Sequence, residues 1–236
     1  MGLPCPAYFR LCDLMVNAVL YSGGKDSTLA LHKMADEGIR IDLLITMLSK
    51  NEHSYMFHYP NLRYTKLQAE ALDIKQVFSS TEGEKEMELD DLRKSLVENR
   101  VNMLVTGATY SEYQASRINR ICKELGIEHA APLWHIDPLK ELDELARDFE
   151  AIITSVSAEG MGQTFLGKKI DNDIITRLQD VNRKYGVNML FEGGEAESFV
   201  LNAPLFKKRI QIVKARTEWN GVSGAYFIED AKLIGK

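Results

Sequence analysis

Cysteine is scarce in this sequence. The chain has three cysteines in 236 residues, Cys5, Cys12 and Cys122, and no two of them form a CxxC pair or a zinc-ligand spacing. This argues against a disulfide scaffold, a structural zinc site and a paired-cysteine centre for sulfur transfer. Cys122 falls in a helical pattern and is predicted to be a small buried hydrophobe. The cysteine usage predicts a reducing, cytoplasmic compartment.

Excess positive charge and long apolar runs are also missing. Lysine and arginine number 29 against 34 aspartates and glutamates, so the net charge is −5, and no nucleic-acid partner is expected. No apolar run approaches the ~18–20 residues of a membrane-spanning helix, and no membrane partner is expected. Residues 1–14 lack the basic and apolar regions of a signal peptide, so we predict an N-terminal extension without function.

Apolar runs of strand length alternate with helical patterns in the first half of the chain. The predicted strands are Val16–Tyr21, Ile41–Leu48, Ile74–Phe78 and Asn102–Thr106, and the predicted helices are Ser27–Glu37, Leu62–Leu72, Glu84–Glu98 and Tyr113–Leu125. This order predicts an α/β fold with a doubly wound parallel sheet and helices on both faces. Ligands of such sheets bind at the carboxyl ends of the strands.

The rhythm changes near residue 135. The patterns there predict helix Leu139–Phe149, strand Ala151–Ser157, helix Asp171–Tyr185, strand Asn188–Phe191, and short antiparallel strands from Arg209 onward. We therefore expect a first domain over 15–135 and a smaller α+β lobe over 136–236.

The stretch "SGGKDS", Ser22–Ser27, lies between the first predicted strand and the first predicted helix. Glycine allows a tight turn and close backbone approach, and the helix start offers unpaired N–H groups to an anion. A Walker A loop is excluded, because Val19 occupies its first glycine position and Asp26 follows Lys25. A carboxylate beside phosphate is favourable only with a cation such as Mg²⁺ between them. The alternative is a glycine-rich turn without a ligand.

These six residues resemble the PP-loop, SGGxDS, of the N-type ATP pyrophosphatase superfamily, whose fold is adenine nucleotide alpha hydrolase-like. The resemblance implies that ATP is bound and cleaved to AMP and pyrophosphate, with an acceptor oxygen adenylated. It assigns nucleotide binding to Ser22, Gly23, Gly24, Lys25, Asp26 and Ser27. Lys25 and Asp26 are also implied to be catalytic, and Asp26 is the candidate Mg²⁺ ligand.

Four further stretches narrow the choice of family member. They are "MFHYPNLRYTKLQAEAL", "GATYSEYQASRINRICKELGI", "PLW" and "EGGEAESFVLNAPLFKKRI". Together they resemble the diphthine–ammonia ligase family in its archaeal, single-module form, from about Met15 to about Ile212. The resemblance implies ATP-dependent amidation of diphthine, a modified histidine of translation elongation factor two, with ammonium as the nitrogen source.

The sequence departs from the family pattern at three positions of the acidic stretch. The family commonly has an aromatic residue where this chain has Ala196, threonine where it has Ser198, and often glycine where it has Phe191. Ala196 leaves the acceptor open, because an aromatic residue there would be available for stacking. The carboxylates Glu192, Glu195 and Glu197 are all retained.

The acidic run Glu192–Glu197 is a candidate site in its own right. Its three carboxylates suit a cation, whether trimethylammonium, ammonium or Mg²⁺, and one of them could accept a proton from ammonium. Substrate binding is assigned to Glu192, Gly193, Gly194, Glu195 and Glu197, with Glu192 and Glu195 as catalytic candidates. Their individual roles stay open, and the alternative is a solvated acidic turn that caps the next helix.

Two other segments contribute candidates. Gly107 follows a predicted strand, where a parallel sheet presents its carboxyl end to a ligand, and Tyr113 or Gln114 shares a helix face with Arg117. Arg117 is a candidate for stabilising charge at the α-phosphate, the alternative being a surface salt bridge. By resemblance, His58 and Asn61 line the nucleotide side of the cleft.

Two other functions remain open at this point. A PP-loop amide synthetase could act on a small carboxylate, and a non-catalytic sensor could bind adenine nucleotide without turnover. The sequence leaves the oligomeric state open, a homo-oligomer included, as well as the route of ammonia.

Overall fold

Five parallel strands form the first sheet of the computed structural model, which describes residues 15–49, 61–81 and 87–236. The elements of this half are β1 (Val16–Leu20), α1 (Lys25–Asp36), β2 (Leu43–Ser49), α2 (Thr65–Leu72), β3 (Lys75–Thr81), α3 (Met87–Glu98), β4 (Val101–Val105), α4 (Glu112–Leu125) and β5 (Glu128–Ala130). The strand order is β3-β2-β1-β4-β5. Every neighbouring pair is parallel.

Both faces of this sheet are covered by helices. Successive residues of a strand point to opposite faces, so Val19 and Tyr21 join the core cluster that holds α1 and α2. Ala18 joins the other cluster, which is completed by α3 and α4. The doubly wound α/β fold predicted from the sequence is therefore confirmed.

Four antiparallel strands form the second sheet, in the order β7-β6-β9-β8. Its elements are α5 (Pro138–Asp148), β6 (Glu150–Val156), α6 (Asn172–Tyr185), β7 (Ala196–Asn202), β8 (Arg209–Trp219) and β9 (Gly224–Ile234). Asp137 caps α5, since its side chain accepts hydrogen bonds from the N–H groups of Leu139 and Lys140. Gly186 ends α6 with a φ of +70°.

Two of the predicted elements are wrong in detail. The stretch Asn188–Phe191 is not a strand, because it turns: Phe191 has a φ of +67° and Asn188 accepts a hydrogen bond from the N–H of Leu190. The strand of this region follows the acidic run instead, as β7. The strands after Arg209 are antiparallel as expected but long, with 11 residues each.

One apolar cluster runs through both sheets. It includes Val19 and Leu29 from the first half and Ile153 and Phe199 from the second. The domain boundary near residue 135 stays a prediction. Among the helices of residues 15–49, 61–81 and 87–236, none combines the length and the apolar character needed to cross a membrane.

Candidate active site

A cavity of about 960 Å³ opens at the carboxyl ends of β1 and β4. After β1 the chain continues on one side of the sheet, and after β4 it continues on the other side. Open α/β sheets bind ligands in the crevice between two such neighbouring strands. The second sheet supplies the other walls, from the end of β6, the segment 190–198 and the β8–β9 hairpin. The cavity thus lies between the two halves of the chain.

The loop Ser22–Ser27 forms one wall of this cavity. Gly23 has a φ of +78°, which only glycine adopts without strain, and Gly24 is the N-cap of α1. The Ser22 hydroxyl accepts a hydrogen bond from the Gly24 N–H (3.3 Å) and lies 3.2 Å from the Ser27 hydroxyl. A helix N-terminus with two hydroxyls beside it suits a phosphate group.

Strand β7 of the second sheet is hydrogen-bonded directly to this loop. The Val200 N–H donates to the Gly23 carbonyl (3.0 Å), and the Lys25 N–H donates to the Ser198 hydroxyl (3.0 Å). Gln68 on α2 joins both partners, since its amide donates to the carbonyls of Gly23 (2.9 Å) and Val200 (2.7 Å). Strand β7, which begins at the end of the acidic run, and the phosphate loop are therefore fixed against each other.

Lys25 does not lie on the cavity wall. Its side chain is buried, with Nζ in contact with Asp26 and 3.2 Å from a carboxylate oxygen of Glu141. Burial alone lowers the pKa of Lys25, but the two carboxylates outweigh burial and raise that pKa above its ordinary value. The nucleotide-binding and catalytic roles that the resemblance implies for Lys25 stay predictions.

Four carboxylate residues line the cavity: Asp26, Glu192, Glu197 and Glu218. Two of them, Asp26 and Glu197, repel each other. Burial raises the pKa of Asp26, opposed by the Lys25 ammonium and reinforced by Glu141. Burial, then repulsion from Asp26, raises the pKa of Glu197 to about 8. Two carboxylates that repel one another in this way form a place where a cation is stabilised.

The other two carboxylates of the acidic run already accept hydrogen bonds from the protein. Glu195 accepts hydrogen bonds from the N–H groups of Asn188 (3.1 Å) and Gly193 (2.8 Å), which fixes the turn. Glu192 accepts from the N–H (3.1 Å) and the hydroxyl of Thr109. The structure thus separates the three carboxylates, and the described ranges contain no group of three metal-binding side chains.

The glycines of the candidate site have distinct positions. Gly193 and Gly194 line the cavity, and Gly194 turns the chain with a φ of +81°. Gly107 also lines it, where β4 ends against the start of α1. A Cβ at residue 107 would lie 2.5 Å from the Asp26 carbonyl carbon, so this close approach requires glycine.

The remaining candidate residues are either absent from the lining of the cavity or outside the residues that the structure describes. Asn61 bonds to β9, its amide donating to the Tyr226 carbonyl (2.9 Å) and accepting from the Ile228 N–H (2.7 Å). The Arg117 guanidinium stacks 3.7 Å from the centre of the Tyr113 ring on α4. His58 and the side chain of Gln114 lie outside what the structure describes.

Two residues of this region escaped the sequence analysis. Gln68 and Glu141 are fully buried polar side chains, each reaching the loop Ser22–Ser27 from another element. A single glutamine or glutamate within an amphipathic helix is not part of a recognisable sequence motif. Their role depends on a tertiary contact that spacing alone does not predict.

The chain is similar to known proteins over most of its length. The diphthamide synthase N-terminal domain matches residues 15–129, and the diphthamide synthase C-terminal domain matches residues 137–234. Diphthine–ammonia ligase of Homo sapiens is 33% identical over 219 residues, which cover 82% of this chain and 81% of that protein. The ligase of Schizosaccharomyces pombe is 31% identical, over 81% of this chain and 35% of that longer protein.

A solved structure also matches, that of a predicted subunit of tRNA methyltransferase from Methanocaldococcus jannaschii. It is 16% identical and has a TM-score of 0.43, with 81% of this chain and 98% of that chain covered. The two matched domains leave only seven residues between them unmatched, 130–136, and each carries one side of the cavity described above. The chain belongs to the diphthamide synthase family.

Proposed function

We propose that this chain amidates the diphthine residue of translation elongation factor two, consuming ATP and ammonium and releasing AMP and pyrophosphate. The observation that carries this proposal is that the loop Ser22–Ser27 and the acidic run Glu192–Glu197 line one cavity, and that β7, which continues the acidic run, is hydrogen-bonded to the loop through Ser198 and Val200. The relatives of this chain are named diphthine–ammonia ligases. ATP use accords with the family.

The first step activates the acceptor. The N–H groups at the start of α1 and the hydroxyls of Ser22 and Ser27 hold the phosphates. A carboxylate oxygen of diphthine attacks the α-phosphorus, the bond to the β-phosphate oxygen breaks, and pyrophosphate leaves. Adenylation is needed because a free carboxylate is a poor acyl donor, whereas AMP is a good leaving group.

Mg²⁺ fits the residues that are present. Asp26 faces the cavity beside the phosphate loop. Its carboxylate is paired with the buried Lys25 ammonium and is repelled by Glu141 and Glu197, so it can accept a further positive charge from the cavity side. Asp26 would hold the ion, with phosphate oxygens and water as its other ligands, as is usual for Mg²⁺. When bound, Mg²⁺ supplies positive charge that neutralises the phosphates.

The second step forms the C–N bond. Ammonium must lose a proton before nitrogen can attack the acyl carbon of the adenylate. Glu197 lines the cavity and has a pKa of about 8, closer to that of ammonium than an ordinary carboxylate is. We assign it the role of the base that takes this proton. AMP then leaves with the electron pair of the broken C–O bond.

The test measures AMP released from ATP, with and without ammonium and with and without elongation factor two in its diphthine form. We expect AMP only when both are present. AMP formed equally without the factor would point to a PP-loop amide synthetase for a small carboxylate. Nucleotide binding without AMP under any condition would point to a sensor.

Glu197→Gln and Glu195→Gln form a matched pair of variants for the same assay. Loss of the base should lower kcat by roughly 10²- to 10⁴-fold in Glu197→Gln. Glu195→Gln loses one of the two hydrogen bonds within the turn, because its amide has a single acceptor oxygen, so it should lower stability by about 1–3 kcal/mol and kcat much less. Equal losses of kcat in both variants would contradict the role assigned to Glu197.

A further inference from the structure

A buried ion pair joins the loop Ser22–Ser27 to helix α5. Lys25 Nζ lies 3.2 Å from Glu141 Oε1, and the two side chains are 1% and 0% exposed. The same ammonium contacts Asp26, whose side chain is 33% exposed and lines the cavity. The ammonium is therefore held between a carboxylate closed off from solvent and a carboxylate that faces the cavity.

The stability of the fold does not explain why a glutamate occupies position 141. Taking a carboxylate and an ammonium out of water is costly, and apolar residues of similar volume often stabilise a fold as well as a buried ion pair does. The second oxygen, Oε2, is also buried, and it has no hydrogen-bond partner among the described residues. The fold thus keeps an incompletely satisfied carboxylate beside the phosphate loop.

Attachment of α5 to α1 does not require Glu141 either. A second ion pair, Lys33–Glu144, connects the same two helices at 2.7 Å, with side chains that are 29% and 23% exposed. This pair is partly solvated and lies away from the cavity walls. It provides a natural control, because it joins the same elements without reaching the phosphate loop.

The surroundings of the Lys25 ammonium restrict its position. The ring of Phe191 lies over it, with 5.5 Å between Nζ and the ring centre, and Phe191 itself lines the cavity. Phe191 has a φ of +67°, a conformation that is strained for an aromatic residue. Glu141, Asp26 and the Phe191 ring therefore hold the buried ammonium in one position, next to two residues that line the cavity.

We propose that Glu141 is a positioning residue of the ATP site. It holds the Lys25 ammonium beside Asp26 and under Phe191, so that Lys25 and Asp26 keep one fixed arrangement at the start of α1. The proposal rests on the function proposed above, in which this loop holds the phosphates of ATP. Glu141 acts through Lys25 and has no contact with substrate of its own.

Crystal structures of the wild type, Glu141→Gln and Glu144→Gln test the positioning directly. The amide of Glu141→Gln keeps the shape of the side chain but removes its charge, so Lys25 Nζ should move by about 1 Å or more. Lys25 should stay in place in Glu144→Gln. An unmoved Nζ in Glu141→Gln would overturn the proposal, whatever the acceptor of the reaction is.

Kinetics supply a second readout, taken well below the melting temperature of each variant. Glu141→Gln should lower kcat for AMP formation about 10- to 100-fold, because a misplacement of about 1 Å near the reacting groups costs that much. KM for ATP should change little, since backbone N–H groups and hydroxyls still bind the phosphates. Glu144→Gln should match the wild type.

Glu141→Asp keeps the test decisive if the glutamine variant does not fold. The aspartate variant retains the negative charge but places it one methylene further from Lys25. If both variants fold, kcat should be higher in Glu141→Asp than in Glu141→Gln. If only Glu141→Asp folds, its kcat should be lower than that of the wild type. A folded Glu141 variant with the kcat of the wild type would show that the Lys25–Glu141 ion pair has only a structural role. AMP formation at the same rate with and without the elongation factor would instead overturn the proposed function. In that case the position of Lys25 in the crystal structures would still decide the role of Glu141.

Discussion

His32 connects the helix of the phosphate loop to the turn after β7. Its Nδ1 lies 2.7 Å from the Thr28 carbonyl and must donate, whereas Nε2 accepts the N–H of Leu205 (3.1 Å). Both ring nitrogens are therefore used by the neutral imidazole. Burial lowers the pKa of His32, only partly opposed by the Thr28 carbonyl. A protonated ring would present a second N–H to Leu205 and lose that bond.

The sign of the pH dependence follows from this geometry. Because the pKa of His32 is lower in the folded chain than in the unfolded chain, its contribution to stability is complete above the unfolded value of about 6.5. That contribution is lost as the pH falls below 6.5 toward the folded pKa. Each pKa unit of lowering is worth about 1.4 kcal/mol.

We predict that the wild type loses more stability than His32→Gln between about pH 7.5 and about pH 5, as measured by urea unfolding. His129 also has a lowered pKa, caused by burial, and contributes equally to both proteins. The difference between the two slopes therefore isolates His32. Identical slopes would show that His32 is not a source of the pH dependence.

The residues of the phosphate loop could be predicted from the sequence because their chemistry is local. Glycines, hydroxyls and a helix start follow one another within six positions. The distinct positions of Glu195 and Glu197 could not be predicted, because both are glutamates of one run. Only the fold shows that Glu195 fixes the turn while Glu197 faces the cavity.

At the scale of elements, the close approach of β4 to α1 fixes the shape of the cavity. We predict that Gly107→Ala lowers stability by about 1–3 kcal/mol and weakens ATP binding, because its Cβ would meet the backbone of Asp26 (2.5 Å) and Ser27 (2.7 Å). Urea unfolding and calorimetric titration with ATP measure the two effects. Gly162→Ala is the control, since a Cβ at residue 162 would meet open space.

Strands β1, β2 and β4 could be predicted because they lie within the sheet and are rich in buried apolar residues. Strand β5, Glu128–Ala130, was not predicted, because it is a three-residue edge strand without an apolar run. The prediction of a strand at Asn188–Phe191 was wrong because buried apolar residues also occur in turns. Two of the three apolar residues of this stretch, Leu190 and Phe191, are buried in a turn rather than in a sheet. Apolar runs this short do not distinguish the two, and the left-handed backbone of Phe191 is not expected of an aromatic residue.

At the scale of the whole molecule, the antiparallel sheet packs against helices of the parallel sheet. Phe199 and Val200 of β7 share a core cluster with Leu29 and Ala30 of α1. The two halves therefore differ in architecture but not in core. The sequence indicates the architectural change near residue 135, whereas the shared core depends on contacts between residues far apart in the chain.

A shared core predicts one cooperative unfolding transition for the whole chain. The chain has two tryptophans, and Trp219 lies on β8, so a Trp134→Phe variant reports the second sheet alone by fluorescence. Far-UV circular dichroism reports mainly the helices of both halves. We expect the two signals to change at the same urea concentration, and a fragment of residues 15–135 to show no cooperative transition. Separate transitions, or a cooperatively folded fragment, would mean that β7 adds the acidic segment to a domain that is already stable, and that the loop Ser22–Ser27 does not need the second half to form.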